Sequence, residues 1–181
     1  LEFRRVLIRS FRYCPFNDFD AIEQLISAQT CAVLVEPVQG EGGITSAAPG
    51  FLAHLRSLCD RHQALLVFDE VQSGMGRTGR LFAHEWDDVT PDVMTVAKAL
   101  GCGIPIGAML AREEVAAALT LGTHGSTFGG NPLACAVARV ALREIRTPAL
   151  LANVHAQGEV FRQRLHRIGE RRSEEPRLNS S

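Results

Sequence analysis

The apolar positions of the 181-residue chain form four short runs without polar alternation, separated by longer stretches with helical spacing. The runs cover residues 32–35, 64–68, 93–96 and 106–110. Such runs are typical of strands covered on both faces, as in parallel sheets whose crossover helices pack over them. Their alternation with helical stretches predicts an α/β fold with a mostly parallel sheet flanked by helices.

Helix-start signals precede four stretches in which apolar residues recur at helical spacing. The signals are Asp18, Pro49, Asn131–Pro132 and Thr147–Pro148. Aspartate and asparagine accept hydrogen bonds from first-turn amides, and proline fits the first turn of a helix. The apolar residues expected to face a core are Ile22, Leu25, Ile26, Phe51, Leu52, Leu55, Leu58, Cys59, Leu133, Val137, Val140, Ala141, Leu151, Val154, Phe161, Leu165 and Ile168. We expect the core beneath the last five to lie partly outside this chain.

Charge and cysteine content narrow the function classes. A net charge of -1 and a pI near 6.7 provide no basic surface, so nucleic acid and acidic membranes are not expected partners. No apolar run reaches membrane-spanning length. Five scattered cysteines without a C-x-x-C pair indicate reduced thiols and a cytoplasmic location. The six histidines form no H-x-x-x-H or H-E-x-x-H pattern, so no metal site is expected.

Lys98 is the only lysine in the chain, beside eighteen arginines. Arginine can replace lysine in most surface roles, but its guanidinium stays protonated and cannot act as an amine nucleophile. Partial desolvation by Ala97, Ala99 and Leu100 would disfavour the ammonium form of Lys98. The amine could then attack a carbonyl and form a Schiff base. The alternative is that most lysines were lost from this chain and Lys98 remains by chance on a solvated face.

Polar residues follow the first three apolar runs, where ligands of open α/β sheets bind. Glu36 follows the first run, Asp69 and Gln72 follow the second, and Lys98 follows the third. Pyridoxal phosphate needs a lysine for its aldehyde and an acid that keeps its pyridine nitrogen protonated. Lys98 and Asp69 are suited to these two tasks, although Asp69 alone could simply cap a turn.

A glycine-rich stretch, residues 122–132, supplies hydroxyls and open backbone amides just before a predicted helix. A helix N-terminus preceded by free amides suits an anion such as a phosphate. An ordinary turn is the simpler interpretation of this stretch by itself.

Five motifs, taken in their order and spacing, resemble the class III pyridoxal-phosphate aminotransferases, and most closely the acetylornithine/succinylornithine aminotransferases. They are VEPVQGEGG, FDEVQSGMGRTG, VTPD, AKALGCGIPIGAML and GTHGSTFGGNPLA. The likeness extends from about residue 16 to about residue 168. It implies the fold-type-I transferase fold and, for the full-length family, a homodimer.

The resemblance also implies a domain organisation. Residues 11–146 would form part of the cofactor-binding large domain, and residues 147–170 would be a helix leading toward a C-terminal domain absent from this chain. Residues 1–10 and 171–181 are charge-rich and resemble translated adapter or cloning sequence, so we expect them to be foreign to the fold.

The resemblance assigns four residues to the cofactor. Lys98 would bond to the cofactor aldehyde and then move a proton between the substrate and the cofactor. Asp69 would pair with the pyridinium, Gln72 would bond the phenolic oxygen, and Thr127 would bind the phosphate across a dimer interface.

Two further residues are implied to act on the substrate. Ser126 would lie beside it, and Glu36 would help an arginine elsewhere in the protein to distinguish amino donors from dicarboxylate acceptors. Glu70 is expected to be structural, and Cys102 stands where the family usually has glycine. The implied reaction transfers the ω-amino group of N-acetylornithine, or a related acyl-ornithine, to 2-oxoglutarate in arginine metabolism.

Other interpretations stay open at this point. An ornithine or 4-aminobutyrate aminotransferase of the same family is one, and a catalytically incompetent fragment is another. Gly74, Gly76 and Gly79 also satisfy G-x-G-x-x-G, with Asp92 eighteen residues after Gly74, as in NAD-dependent dehydrogenases. The DEVQS segment separates this motif from the preceding strand, which argues against a dinucleotide site.

Overall fold

The computed structural model describes residues 11–173, with side chains through residue 170. The elements are α1 (Phe19–Leu25), β1 (Ala32–Val35), β2 (Val38–Gln39), β3 (Thr45–Ser46), α2 (Phe51–His62), β4 (Leu65–Asp69), β5 (Val93–Val96), β6 (Ala108–Ala111), α3 (Glu113–Ala116), α4 (Pro132–Ile145) and α5 (Pro148–Ser173), with 3₁₀ turns at Ala83–Trp86 and Lys98–Gly101. The predicted foreign segment 1–10 and most of segment 171–181 lie outside the described residues.

The main sheet has the strand order β1-β4-β5-β6. β1, β4 and β5 run parallel, while β6 is antiparallel to β5. The prediction of an α/β fold with a mostly parallel sheet is therefore confirmed. β2 and β3 form a separate two-stranded antiparallel hairpin in the connection between β1 and α2, which the apolar pattern does not predict.

The first core lies between α1, α2 and the strands β1 and β4. Every residue predicted for the inner face of α2 is buried there, at 2% exposure or less: Phe51, Leu52, Leu55, Leu58 and Cys59. Phe16 and Phe19 make edge-on contacts with Phe51, at centroid distances of 5.5 and 5.2 Å. Burial of these side chains holds α2 on the sheet.

The predicted helix starts are present at Asp18 and Asn131. The carboxylate of Asp18 accepts a hydrogen bond from the Ala21 amide at 2.9 Å. The side chain of Asn131 accepts one from the Ala134 amide, also at 2.9 Å, and Pro132 follows as the first helical residue. Both caps satisfy first-turn amides that have no partner within their helix.

The expectation that all four strands are covered on both faces is wrong for the two edge strands. Leu34 of β1 is 67% exposed, and Met109 and Leu110 of β6 are 52% and 46% exposed. Helix α2 packs on β4 and on one face of β1. The exposed side chains of β1 and β6 lack a cover within residues 11–173.

The predicted inner face of α4 is also partly wrong, since Leu133 and Val140 are 67% and 50% exposed. The helix buries Ala141, as predicted, together with Ala134 and Ala138. Small side chains let α4 lie close to the 3₁₀ turn Lys98–Gly101, and Ala138 joins the second core there. The buried members of that core are Met75, Met94, Val96, Leu100 and Ala138.

The long helix α5 starts at Pro148, directly after Thr147, as predicted. Three of its apolar residues, Phe161, Leu165 and Ile168, are 68%, 57% and 55% exposed. Their exposure agrees with the expectation that the surface they cover lies partly outside this chain. None of the helices in the described part of the chain is long and apolar enough to cross a membrane.

Asp92, which is 6% exposed, joins several elements through its carboxylate. Oδ2 accepts hydrogen bonds from the Leu66 amide at 2.7 Å and from Arg56 at 2.8 Å, and Oδ1 pairs with Arg112 at 3.2 Å. Burial raises the pKa of Asp92, but the Leu66 and Arg56 hydrogen bonds and the charges of both arginines outweigh it. The pKa therefore lies below its ordinary value.

Candidate active site

Asp69 ends strand β4 and Lys98 follows the neighbouring parallel strand β5, so both lie at the carboxyl edge of the sheet. Asp69 is the last residue of β4 and lies opposite Thr95 of β5. The Glu70 amide donates to the Thr95 carbonyl at 2.9 Å, so the pairing continues one residue beyond β4. Lys98 follows Thr95 by three residues and begins the next 3₁₀ turn. The fold thus brings an acid and an amine to one edge.

The carboxylate of Asp69 is half-buried and uses one oxygen locally. Oδ1 accepts a hydrogen bond from the Val71 amide at 2.9 Å. Oδ2 receives no hydrogen bond from any residue between 11 and 170. One carboxylate oxygen is therefore fixed by the backbone, and the other is available to a donor from a ligand.

The expectation that Ala97, Ala99 and Leu100 partly desolvate Lys98 is wrong for this chain, because Lys98 is exposed. Leu100 is 8% exposed and packs with Ala99 into the second core. Lys98 itself has a left-handed backbone with φ of 45°. This conformation is uncommon for a residue with a side chain, and such strain often marks functional positions.

Gln72 lies against the loop that follows β1. Its Nε2 donates to Oε1 of Glu41 at 2.9 Å. A Cβ added at Gly40 would lie 3.0 Å from Cδ and Nε2 of Gln72, so a larger residue there would displace the Gln72 side chain. Glu36 closes the same loop, because its Oε2 accepts a hydrogen bond from the Gly40 amide at 3.1 Å.

Sequence reasoning overlooked Glu41. The signal was available, since Glu41 is the second carboxylate in the polar stretch that follows the first apolar run. The structure shows that Glu36 turns inward onto the loop backbone, whereas Glu41 is exposed and holds the Gln72 amide. Glu41 therefore belongs in the candidate site.

Glu70 is 1% exposed and carries a full set of hydrogen bonds. Oε2 accepts from Ser73 Oγ at 2.5 Å, and Oε1 accepts from the backbone amide and Nδ1 of His84 at 2.9 and 3.0 Å. Burial raises the pKa of Glu70, but the hydrogen bonds from His84, Ser73 and the Ala83 amide outweigh it, so that pKa is lowered. The predicted structural role of Glu70 agrees with this geometry.

Ser126 and Thr127 are not brought to the sheet edge. Both lie in an exposed segment, residues 117–130, which we call the glycine-rich loop. Ser126 Oγ accepts a hydrogen bond from the Gly129 amide at 2.9 Å, which stabilises the loop itself. Neither residue contacts Asp69 or Lys98 within the described part of the chain.

The G-x-G-x-x-G motif forms a series of turns and opens no helix. Met75, Gly76 and Gly79 have φ of 55°, 82° and 91°. A Cβ added at Gly76 would lie 2.7 Å from Cγ2 of Ile145, so this glycine allows close packing of α4. A dinucleotide site needs a strand, these glycines and a helix N-terminus in direct succession. The structure contradicts that interpretation.

The donor set at the sheet edge fits pyridoxal phosphate. The free oxygen of Asp69 can accept a hydrogen bond from a protonated pyridine nitrogen, and the exposed amine of Lys98 can reach an aldehyde. The Gln72 amide is held nearby by Glu41. Among residues 11–170, no three histidine, cysteine or acidic side chains lie close enough to hold a metal ion.

Comparison with known proteins supports the same chemistry. A family model described as aminotransferase class-III matches residues 9–177. Acetylornithine aminotransferase of Xanthomonas campestris pv. campestris is 60% identical over 153 residues, which cover 84% of this chain and 38% of that protein. The chain thus spans well under half the length of this curated relative.

Solved structures give the same result. N-acetylornithine aminotransferase of Stenotrophomonas maltophilia K279a is 52% identical with a TM-score of 0.81, over 89% of this chain and 42% of that one. Ornithine aminotransferase of Toxoplasma gondii is 43% identical with a TM-score of 0.83, over 87% of this chain and 37% of that one. The Toxoplasma structure has partial occupancy of PLP at its active site. The fold, the sheet-edge residues and the family match agree: the chain belongs to the class III aminotransferase family.

Proposed function

We propose that this chain is part of a pyridoxal-phosphate-dependent transaminase that transfers the ω-amino group of N-acetylornithine, or a related acyl-ornithine, to 2-oxoglutarate. The observation that carries the proposal is the placement of Asp69 and Lys98 on adjacent strand ends in a family member. The names of its relatives support the donor, and an amino donor and a 2-oxo acid are the expected small-molecule partners.

Pyridoxal phosphate, when bound, supplies an electron sink that makes proton removal next to the reacting nitrogen possible. Oδ2 of Asp69 would accept the hydrogen bond of the pyridine N–H, and the Val71 amide keeps the carboxylate oriented through Oδ1. The amine of Lys98 would first hold the aldehyde carbon and then carry the proton between substrate and cofactor atoms. Neither task is open to arginine.

The neighbouring residues would orient the ligands. The Gln72 amide would donate to the phenolic oxygen of the cofactor, with Glu41 fixing the amide at 2.9 Å. Glu36 would act on donor choice through the loop that it closes at Gly40. Thr127 would hold the phosphate and Ser126 would lie beside the substrate, both from the glycine-rich loop.

The exposed loop supports a homodimer as the working form. Leu121 is 105% exposed and Phe128 is 80% exposed, and both flank the two hydroxyl residues Ser126 and Thr127. Apolar side chains at such exposure are stabilised by contact with another protein surface. A second copy would cover them and bring Thr127 to the partner's site. The unpaired cysteines favour a cytoplasmic location.

A chimera tests whether this segment can perform the chemistry. The chain would replace the matching segment of the Stenotrophomonas enzyme, to which it is 52% identical. We expect the folded chimera to transfer an amino group from N-acetylornithine to 2-oxoglutarate, and Lys98→Arg to abolish the reaction. A folded chimera without activity, or one whose activity survives Lys98→Arg, would contradict the proposal. Assay of the 181-residue chain alone shows whether it is an incompetent fragment.

An ornithine aminotransferase is the second candidate, and the Toxoplasma structure favours it. The two candidates differ only in the amino donor. Rates measured with N-acetylornithine, ornithine and 4-aminobutyrate on the whole protein that contains this chain distinguish them. Faster transfer from free ornithine would support the second candidate.

A further inference from the structure

Glu70 and His84 form a buried pair that the chemistry proposed above does not use. The two residues are fourteen positions apart, and Oε1 of Glu70 accepts both the backbone amide and Nδ1 of His84. Because an ionised carboxylate can only accept, Nδ1 carries the hydrogen. Removing a charge from water is costly unless donors replace the solvent, so this pair is a built feature of the fold.

The pair holds the turn formed by residues 69–74, which we call the Asp69 turn. The Glu70 amide donates to the Thr95 carbonyl and the Gly74 amide donates to the Glu70 carbonyl, each at 2.9 Å. A Cβ added at Gly74 would lie 2.7 Å from that carbonyl oxygen, so the turn is tightly closed. Ser73 Oγ donates to the Glu70 carboxylate from within the same turn.

Asp69 depends on the turn through one contact. Its Oδ1 accepts the Val71 amide at 2.9 Å, and Val71 follows Glu70 directly. Any rotation of the Glu70 backbone would move the Val71 amide, and with it the carboxylate of Asp69. Gln72 lies one residue further along the same turn, so its placement depends on Glu70 as well.

His84 anchors the turn from outside. It lies in the 3₁₀ turn Ala83–Trp86 and is 13% exposed at the side chain. Its ring stacks on Phe82 at 5.8 Å with an interplanar angle of 11° and is tilted against Phe68 at 5.7 Å. These two aromatic contacts restrict the orientation of the His84 ring. The hydrogen bond from Nδ1 in turn restricts the position of the Glu70 carboxylate.

We propose that Glu70 and His84 are positioning residues, which hold the Asp69 turn so that the free oxygen of Asp69 faces the cofactor position. This inference rests on the function proposed above. In this proposal the buried Glu70–His84 pair touches no reacting atom. It orients the Asp69 carboxylate, which would bind the pyridine nitrogen.

Hydrogen exchange at the Val71 amide measures this positioning without any cofactor. We would compare the 181-residue chain with Glu70→Gln, His84→Phe and His84→Asn. Phenylalanine keeps the aromatic stack but removes the donor, whereas the asparagine amide keeps a donor near the place of Nδ1. Ser73→Ala is a milder variant should Glu70→Gln not fold. Ile22→Val in the first core is the control for general loss of stability.

We expect about tenfold faster exchange at Val71 in Glu70→Gln and His84→Phe, recovery in His84→Asn, and a small uniform change in Ile22→Val. Exchange at Val71 that is unchanged, or that follows global stability as in Ile22→Val, would overturn the inference.

Equilibrium uptake of pyridoxal phosphate, followed by its absorbance, is the second readout. About tenfold weaker uptake by Glu70→Gln and His84→Phe is expected, and equal uptake in all variants would also overturn the inference. A chain that takes up no cofactor even unaltered would instead count against the proposed function, while Val71 exchange would still decide the positioning.

Discussion

Helix α2 and the glycine-rich loop place their apolar side chains in opposite environments. Leu52, Leu55 and Leu58 of α2 are at most 1% exposed, whereas Leu121 and Phe128 of the loop are 105% and 80% exposed. The α2 side of the fold therefore satisfies its apolar residues within this chain. The loop side, which carries Thr127 and Ser126, depends on a surface that residues 11–173 do not supply.

The sharpest test of this difference is a pair of leucine truncations. Leu58→Ala should lower the free energy of unfolding by about 2–5 kcal/mol, because it leaves a cavity under α2. Leu121→Ala should change it by less than about 0.5 kcal/mol, because the side chain has no packing to lose. Urea denaturation followed by circular dichroism measures both. Similar losses in the two variants would mean that the loop is packed in this chain.

The ion network around Asp92 gives the next largest effect. Asp92→Asn should cost about 3 kcal/mol at neutral pH, because the largely buried Arg56 would lose one of its two carboxylate partners and keep only the exposed Asp60. The pKa of Asp92 is lowered in the folded state, so its contribution is complete above the ordinary aspartate pKa. The contribution disappears as the pH falls through the lowered value.

The urea midpoint of unfolding should therefore differ less between Asp92→Asn and the unaltered chain as the pH falls. Asp88→Asn is the control, since Asp88 is exposed and its left-handed backbone, with φ of 54°, suits asparagine. A difference that widened in acid, or an equal effect of the control, would contradict the role of this network.

Removing one helix cap in each region should have a smaller effect on stability. Asp18→Ala and Asn131→Ala each remove a side-chain acceptor from a first-turn amide, and each should cost about 1 kcal/mol. Asn131 also donates to the Phe128 carbonyl at 2.9 Å, so its loss should additionally loosen the loop. Amide exchange at residues 126–130 checks this, and no local increase in Asn131→Ala would contradict it.

Thr127→Ala should have the smallest effect on stability, under about 0.5 kcal/mol, because the side chain is exposed and makes no hydrogen bond within the described residues. It should nevertheless weaken cofactor uptake in the chimera with the Stenotrophomonas enzyme, if Thr127 holds the phosphate as proposed. Pyridoxal phosphate titration of that chimera measures the effect. Thr123→Ala, elsewhere in the same loop, is the control, and equal uptake by both variants would remove Thr127 from the phosphate site.

The sequence predicted the elements whose signals are local or repeated. The face of α2 and the caps at Asp18 and Asn131 follow from spacing and side-chain chemistry alone. The parallel direction of β1, β4 and β5 follows from the alternation of apolar runs and helices. Placement of Asp69 and Lys98 at one edge is a consequence of that topology, so it too was predictable.

Tertiary context decided what the sequence did not predict. The inner face of α4 uses alanines, because the 3₁₀ turn beginning at Lys98 approaches closely, and no pattern of large apolar residues reveals that contact. The sequence could not show that Leu100 packs into the second core while Lys98 stays exposed. The bond between Glu41 and Gln72 joins segments 31 residues apart, which spacing along the chain does not indicate.

The central claim is that Asp69 and Lys98 act together on pyridoxal phosphate, and Lys98 as the only lysine makes it directly measurable. The measurement is a titration with the cofactor, followed by borohydride reduction and mass analysis of the peptide that contains Lys98. We expect saturable labelling at Lys98 that is at least about tenfold weaker in Asp69→Asn, with only the terminal amine labelled in Lys98→Arg. Equal labelling of Lys98 in the unaltered chain and in Asp69→Asn would show an ordinary exposed amine and contradict the claim.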